Sequence, residues 1–167
     1  MAKHIWHICQ PRSASTWANW AKVALLHNKS FWDAHLPSNC SWTWRKLLNI
    51  RHSFRSGIKH VIGNGRDTFL WFDYWLPRGP IHSLYGNRII YDSGMSRYAR
   101  VSSIIADDRW QWPVANSPDL VILKTSIPDS IVPRSTSLDD TMWRTLKSAF
   151  SVRAAYQYLV PSGLVME

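Results

Sequence analysis

Acidic residues are scarce in the first part of this chain. Residues 1–66 contain ten Lys and Arg but a single acid, Asp33, whereas residues 67–167 contain ten basic and ten acidic residues. The only glutamate is the last residue, Glu167. A net charge of +9 that lies entirely in the first 66 residues favours contact with a polyanion, most commonly nucleic acid. The alternative is a solvated basic face without a specific partner.

Cysteines and long apolar runs are also few. Cys9 and Cys40 are the two cysteines, whereas small secreted domains usually have more of them at patterned spacings. We therefore expect buried, reduced thiols in an intracellular protein of the cytoplasm or nucleus. No run approaches the roughly 18 apolar residues of a membrane span, and the N-terminal segment lacks the pattern of a signal peptide. No membrane partner is expected.

Aromatic residues are abundant, with eleven Trp, six Tyr and five Phe. Each can bury roughly 150–250 Å² of surface, so the chain has enough apolar area for a core. The pattern predicts an α+β fold: N-terminal helices, a central β-rich region with a hairpin, and a C-terminal strand and helix. We expect this to be an incomplete domain.

Three helices are predicted near the N-terminus, at residues 3–9, 16–27 and 42–53. Ser13 or Ser15 can cap the second and Ser41 the third. The apolar face predicted for the second helix comprises Trp17, Trp20, Ala21, Ala24 and Leu25. That of the third comprises Trp44, Leu47 and Leu48, with Arg51 on the same side.

A β-hairpin is the clearest local prediction. Residues 58–62 and 68–75 are apolar and rich in β-forming side chains, and Gly63-Asn64-Gly65 lies between them. Asn-Gly suits the positive φ angles of a type I′ turn. The second strand is apolar on both faces and should be covered on both sides.

Shorter elements are predicted for the remaining chain, and the whole chain is predicted to divide into five segments. The elements are a strand at 88–91, a helical turn at 101–106, a strand or turn at 109–113, a short element near 120–123, a strand at 141–146 and a helix capped by Ser151. The segments are a basic helical one at 1–56, a β-rich one with the hairpin at 57–113, a linker at 114–138, a strand–helix one at 139–160 and an irregular tail at 161–167.

Catalytic chemistry finds little support in the sequence. Two-metal nucleotide transfer needs paired carboxylates, and reverse transcriptases usually supply them from an aromatic-x-Asp-Asp turn. Asp107-Asp108 and Asp139-Asp140 both lack the aromatic residue two places earlier, so we interpret them as caps of helices or loops. Asp73, between aromatic residues, is expected to accept backbone or indole N–H bonds.

Metal and cofactor sites are not predicted. A structural zinc site needs four ligands, typically in two close pairs, and the chain has no Cys-x-x-Cys. Gly63-Asn64-Gly65 lacks the Lys-Ser/Thr of a phosphate loop. The residues weighed for zinc are His4, His7, Cys9, His35 and Cys40.

Nucleic-acid contact is the remaining physical candidate. Residues 42–66 alternate aromatic and basic side chains, so that cations could neutralise phosphates while Trp42, Trp44 or Phe54 stack on bases. The alternative is that the aromatic residues form the core and the basic ones keep the surface soluble. The candidate contact residues are Arg45, Lys46, Arg51, Arg55, Lys59 and Arg66.

Short motifs occur in a characteristic order along the chain, at residues 31–32, 37–48, 62–65, 70–75, 78–80, 109–113, 139–140, 143 and 150–156. Together they resemble the region that follows the polymerase core in plant non-LTR (LINE-type) retroelement reverse-transcriptase proteins. The resemblance covers about residues 3–160.

The resemblance implies that the catalytic Asp-Asp turn lies upstream and that the zinc ligands lie downstream. Residues 139–160 would be the opening strand and helix of the zinc-binding domain, and residues from Pro161 onward depart from the pattern. We therefore expect a non-catalytic fragment that provides nucleic-acid contact or scaffolding, without a metal or cofactor. The alternatives are a stand-alone basic protein that binds RNA or DNA, and an inert retroelement remnant.

Overall fold

The fold is a mixture of α-helices and short antiparallel strands, as the α+β prediction had it. The computed structural model describes residues 1–114, 117–143 and 150–160. Within them the helices are α1 (Ala2–Cys9), α2 (Thr16–Ala24), α3 (Trp42–Arg55), α4 (Ile81–Tyr85), α5 (Arg88–Ser93), α6 (Pro118–Thr125) and α7 (Val152–Leu159). The strands are β1 (Ile58–Val61), β2 (Ile105–Ala106), β3 (Arg109–Trp110) and β4 (Asp140–Trp143). Single 3₁₀ turns lie at Phe31–Asp33 and Val101–Ile104.

Serine caps define where the main helices begin. The hydroxyls of Ser15, Ser41, Ser117 and Ser151 each accept a hydrogen bond from the backbone N–H three residues further on, at 3.1–3.4 Å. Each bond satisfies a backbone donor that the first helical turn leaves unpaired. The predictions of α1, α2, α3 and α7 are confirmed, with Ser15 rather than Ser13 as the cap of α2.

The chain divides into two compact units, and unit 1 comprises Met1–Lys59 with Thr141–Glu167. Its described core brings α1, α3 and α7 together around buried Ile5, Leu47 and Trp143. Trp6 packs edge-on to Trp143, with ring centroids 6.5 Å apart. A Cβ on Gly57 would lie 2.7 Å from the Trp143 ring, so the helix-to-strand turn after α3 requires glycine at this position.

Unit 2 comprises His60–Asp140, and buried aromatic rings form its core. The Trp71 and Trp75 side chains are fully buried, and each indole N–H donates to a carbonyl at 2.9 Å, of Ser96 and of Leu70 respectively. Satisfying the indole donor removes the cost that burial of an unpaired polar group would impose.

The hairpin prediction at residues 58–75 is wrong. β1 pairs with β4 instead. Residues 68–75 contain a turn at 70–72 and a single antiparallel bridge from Phe69 to Arg100 rather than a second strand. Consecutive aromatic residues of this segment, Trp71, Phe72, Tyr74 and Trp75, are buried. The sequence pattern attributed such burial to a strand that is covered on both faces.

The predicted β-rich segment at 57–113 does contain a hairpin, but it lies at residues 105–110. There β2 pairs with β3, and Asp107-Asp108 forms the turn between them. Both aspartates have positive φ, 49° and 56°, as a type I′ turn requires.

Three further predictions concern the shorter elements. The strand predicted at 88–91 is wrong, because Arg88–Ser93 is helix α5 and buries Ile89 and Ile90. The element expected near 120–123 is helix α6, which buries Leu120 and Leu123. β4 confirms the start of the strand predicted at 141–146, and residues 144–146 lie outside the described part of the chain.

Two further findings bear on the absences noted in the sequence. Among the described helices, none combines the length and the apolar character needed to cross a bilayer. Cys9 and Cys40 are not joined in a disulfide and are half-buried, rather than buried as expected.

Candidate nucleic-acid interface

The positive charge of the chain is segregated by structural unit. The residues of unit 1 include twelve Lys and Arg and two acids, whereas those of unit 2 include eight Lys and Arg and nine acids. Unit 1 therefore accounts for all of the net charge. A polyanion would be attracted to this unit in preference to the other.

The outward face of α3 presents a basic stripe in unit 1. Trp42, Arg45, Lys46 and Asn49 are exposed and recur at helical spacing, while Leu47 on the opposite side is fully buried. The helix contains no acid, so no carboxylate within it competes for the two cations. Trp42 is 69% exposed, an unusual position for a large apolar ring.

Arg45 and Lys46 are the candidate residues that face solvent on this helix. The Arg45 guanidinium donates to the backbone carbonyl of Ser38 at 3.1 Å, which holds it beside the loop that leads into α3. This bond uses one of the five N–H donors of the guanidinium. The remaining donors can meet a phosphate.

Arg51, also on α3, lies against the segment before the helix. It is half-buried and donates to the carbonyls of Phe31, at 3.0 Å, and Ala34, at 2.6 Å. Burial lowers the pKa of the Arg51 guanidinium, and Asp33 partly offsets this shift. The side chain thus joins the 3₁₀ turn at Phe31–Asp33 to α3.

The other candidate cations, Arg55, Lys59 and Arg66, are less accessible to a phosphate or lie outside the exposed face of α3. The Arg55 guanidinium lies 5.7 Å from the centroid of the Trp32 ring, within the range of a cation–π contact. Lys59 is half-buried in β1, and Arg66 is exposed in unit 2. The structure therefore brings Arg45 and Lys46 together on one exposed face, and it engages Arg51 and Arg55 in packing.

His52 lies in the last turns of α3 and adds little charge to it. Burial is the main cause that lowers the pKa of His52, and the nearby Arg51 and Arg55 lower it further. Because the shift is downward from 6.5, the imidazole is mostly neutral at pH 7.

An aromatic groove lies between α2 and the N-terminal end of α3, all within unit 1. Its volume is about 560 Å³. Trp20 and Leu25 on its rim are 54% and 36% exposed, whereas Trp44 is 3% exposed. The lining comprises Trp17, Trp20, Ala24, Leu25, His27, Pro37, Asn39, Cys40, Ser41, Thr43 and Trp44.

The sequence pattern did not predict this groove, because all apolar residues of α2 were placed on one face that was expected to pack into the core. The buried side of α2 is formed by the small residues Ala18 and Ala21, which allow the close approach of α1. Trp17, Trp20 and Leu25 line the groove instead. A nine-residue helix with alanines on one side and large apolar residues on another is the signal that could have indicated it.

Asp139 is the most heavily engaged carboxylate of unit 2. It is fully buried, and it accepts from the N–H groups of Gly63 and Gly65, both at 2.8 Å, and of Asp67 at 3.0 Å. The Thr68 hydroxyl donates to it at 2.9 Å. The Gly63-Asn64-Gly65 loop is thus an anion-binding loop whose anion is supplied by the chain itself.

The remaining carboxylates of interest have structural partners as well. Asp73 accepts from the Phe69 N–H at 2.7 Å, which confirms the predicted backbone bond, and the His60 imidazole lies 3.8 Å away. Asp108 accepts from the Ser135 N–H at 2.6 Å. In the described residues no group of three or more His, Cys, Asp or Glu is placed to hold a metal ion.

Two of the three histidines considered as zinc ligands, His4 and His7, take other partners. The His4 ring packs edge-on to Trp17, with centroids 4.8 Å apart. His7 Nδ1 lies 3.0 Å from the Gln10 amide oxygen and 3.1 Å from the Ser13 hydroxyl. Both contacts stabilise the turn between α1 and α2.

No protein-family model, curated protein or solved structure matches this chain.

Proposed function

We propose that this chain is a non-catalytic segment of a plant LINE-type reverse-transcriptase-like protein, acting inside the cell, and that it contacts nucleic acid through the outward face of α3. The motif series in residues 3–160 supports the family. One observation supports the contact: Arg45 and Lys46 are exposed on an acid-free helix of the unit that holds all of the net charge.

The proposed contact is electrostatic and independent of sequence. Each Lys or Arg that neutralises a phosphate releases a condensed counterion, so affinity falls as salt concentration rises. A stand-alone basic protein would use the same face and would hold nucleic acid at physiological salt without the parent protein. An inert remnant would show weak and non-selective attraction.

The test replaces two charges in each unit. In the first variant Arg45→Gln and Lys46→Gln remove the exposed cations of α3. In the control, Arg109→Gln and Arg134→Gln remove two exposed cations of unit 2, so both variants have the same net charge. Binding of a labelled oligonucleotide is measured by fluorescence anisotropy at several salt concentrations.

We expect the α3 variant to bind several-fold more weakly and its salt slope to fall by about 1 for each lost phosphate contact. The control should retain the affinity and the slope of the unaltered protein. Equal losses in the two variants would mean that net charge alone attracts the polyanion, and the α3 face would then have no special role.

A further inference from the structure

We propose that the aromatic groove between α2 and α3 binds an unpaired base of single-stranded nucleic acid, so that the strand is held by stacking as well as by charge. This inference rests on the proposed function, because it assumes that a phosphate backbone lies along α3. It adds a ligand class, single-stranded RNA or DNA, and a defined site.

The shape of the groove suits a flat aromatic ligand. Its volume of about 560 Å³ falls within the roughly 300–1,000 Å³ of small-molecule sites. Trp17, Trp20 and Trp44 provide the indole surfaces. Stacking on such rings is tolerant of base identity, since every base has a π-face.

The polar part of the lining suits the edge of a base. Asn39, Ser41 and Thr43 contribute an amide and two hydroxyls, which can donate to or accept from the base edges. The Ser41 hydroxyl already accepts from the Trp44 N–H, and its own proton is available to a ligand.

The positive charge beside the groove favours a nucleic acid over an apolar peptide as the occupant. None of the described residues that line the groove is acidic. Arg45 donates to the carbonyl of Ser38, in the same loop that supplies Pro37, Asn39 and Cys40 to the groove wall. A strand with one base in the groove would run past this loop, where the Arg45 guanidinium can meet its phosphates. Bases inside a duplex are stacked on each other, so the groove favours unpaired ones.

The test compares three labelled oligonucleotides of equal length: a single strand with bases, a single strand of abasic sites and a duplex. The single strand is prepared as RNA and as DNA, and binding to the whole chain is followed by fluorescence anisotropy. We expect the base-containing strands to bind about tenfold more tightly than the abasic strand, the difference that one base stack provides.

Variants then locate the stacking site. Trp20→Ala should reduce the affinity for the base-containing strand to near that of the abasic strand, and Trp20→Phe should restore much of it. Leu25→Glu, which places a carboxylate on the groove rim, should also weaken binding. The matched control is Tyr156→Ala, which removes an aromatic ring of α7 in unit 1 that is 66% exposed and lies outside the groove. Far-UV circular dichroism checks that each variant is folded.

Each failure has a separate meaning. If the abasic strand binds as tightly as the base-containing strand, base stacking is refuted while the electrostatic contact of α3 stands. If bases matter but the groove variants equal the Tyr156→Ala control, the stacking site lies elsewhere and the inference is overturned. If none of the three oligonucleotides binds, the proposed function itself fails.

Discussion

At the scale of single residues, Asp139 is a buried carboxylate that holds together two distant parts of unit 2. One of its oxygens accepts from two glycine N–H groups, and the other accepts from the Asp67 N–H and the Thr68 hydroxyl. All four donors lie 71–76 residues away in sequence. The sequence contains no local sign of this bond network, which is why Asp139-Asp140 was interpreted as an ordinary cap.

Asp139→Asn is expected to destabilise the protein by about 3 kcal/mol, the upper end of the cost of leaving buried donors unsatisfied. The asparagine amide has one NH₂ group, which would face two donors instead of accepting from them. Urea denaturation measures the loss. Asp129→Asn changes an exposed aspartate of the same unit and should stay within about 0.5 kcal/mol of the unaltered protein. A similar small change for Asp139→Asn would contradict the assigned role.

Asp108 makes a pH-dependent contribution to stability. The hydrogen bond from the Ser135 N–H is the main cause that lowers the pKa of Asp108, and a hydrogen bond with the Ser135 side chain adds to it. A folded-state pKa below the ordinary value means that the ionised form is favoured by folding. The stabilisation is therefore complete above the ordinary pKa of about 4 and is lost as pH falls through the lowered value.

Thermal unfolding of the unaltered protein and of Asp108→Asn should show this trend. The asparagine does not titrate, so the melting temperature of the unaltered protein should fall relative to that of the variant as pH drops from 6 to below 3. The test is the change with pH in the difference between the two melting temperatures. The difference at a single pH is not informative, because asparagine also suits the positive φ at this position. A difference that stays constant with pH would show that the Ser135 bond does not favour the ionised form.

At the scale of helices and strands, the sequence predicted the elements that are stabilised by interactions between residues close in sequence. The starts of α2, α3 and α7 followed from serines whose caps involve residues three positions away. The hairpin at 58–75 failed because β1 pairs with a strand about 80 residues later. The chain does bend at Asn64-Gly65, but of these two residues only Gly65 has a positive φ, and Asp139 rather than a neighbouring strand holds the loop.

The cap of α3 provides a prediction at this scale. Ser41→Ala removes the bond to the Trp44 N–H, which lies at 3.2 Å, and should cost about 1 kcal/mol of stability. Ser53→Ala is the matched control, because Ser53 is an exposed serine further along the same helix. Alanine has the higher helix propensity there, so the control should be neutral or slightly stabilising. Chemical denaturation of both variants decides the matter.

The candidate site shows the same division between local and distant effects. The charge excess of residues 1–66 indicated a basic surface, and the structure places the corresponding cations in unit 1 apart from Arg66. The roles of Arg51 and Arg55 were not visible in the sequence, because their partners at Phe31, Ala34 and Trp32 precede them by 17–23 residues. Basic residue counts alone do not distinguish a guanidinium used for packing from one that faces solvent.

At the scale of the whole molecule, we predict that the purified chain does not polymerise nucleotides. Nucleotide transfer by two metal ions needs carboxylates that converge on the ions. Asp107-Asp108 forms the tip of the β2–β3 hairpin, and the Asp139 carboxylate is fully engaged by four donors. A primer-extension assay with Mg²⁺ or Mn²⁺ on RNA and DNA templates tests this. Template-dependent extension would overturn the non-catalytic assignment.

The separation in sequence between Asp139 and its hydrogen-bond donors also has a consequence for biosynthesis. A ribosome adds about 5–20 residues each second, so Gly63 and Gly65 emerge several seconds before the carboxylate that holds them. During that interval the N–H groups of Gly63, Gly65 and Asp67 lack the carboxylate that accepts from them in the folded protein. We therefore expect unit 2 to be incompletely folded until Asp139 has emerged. Nascent chains arrested before residue 139 should therefore be far more sensitive to protease than chains arrested well after it.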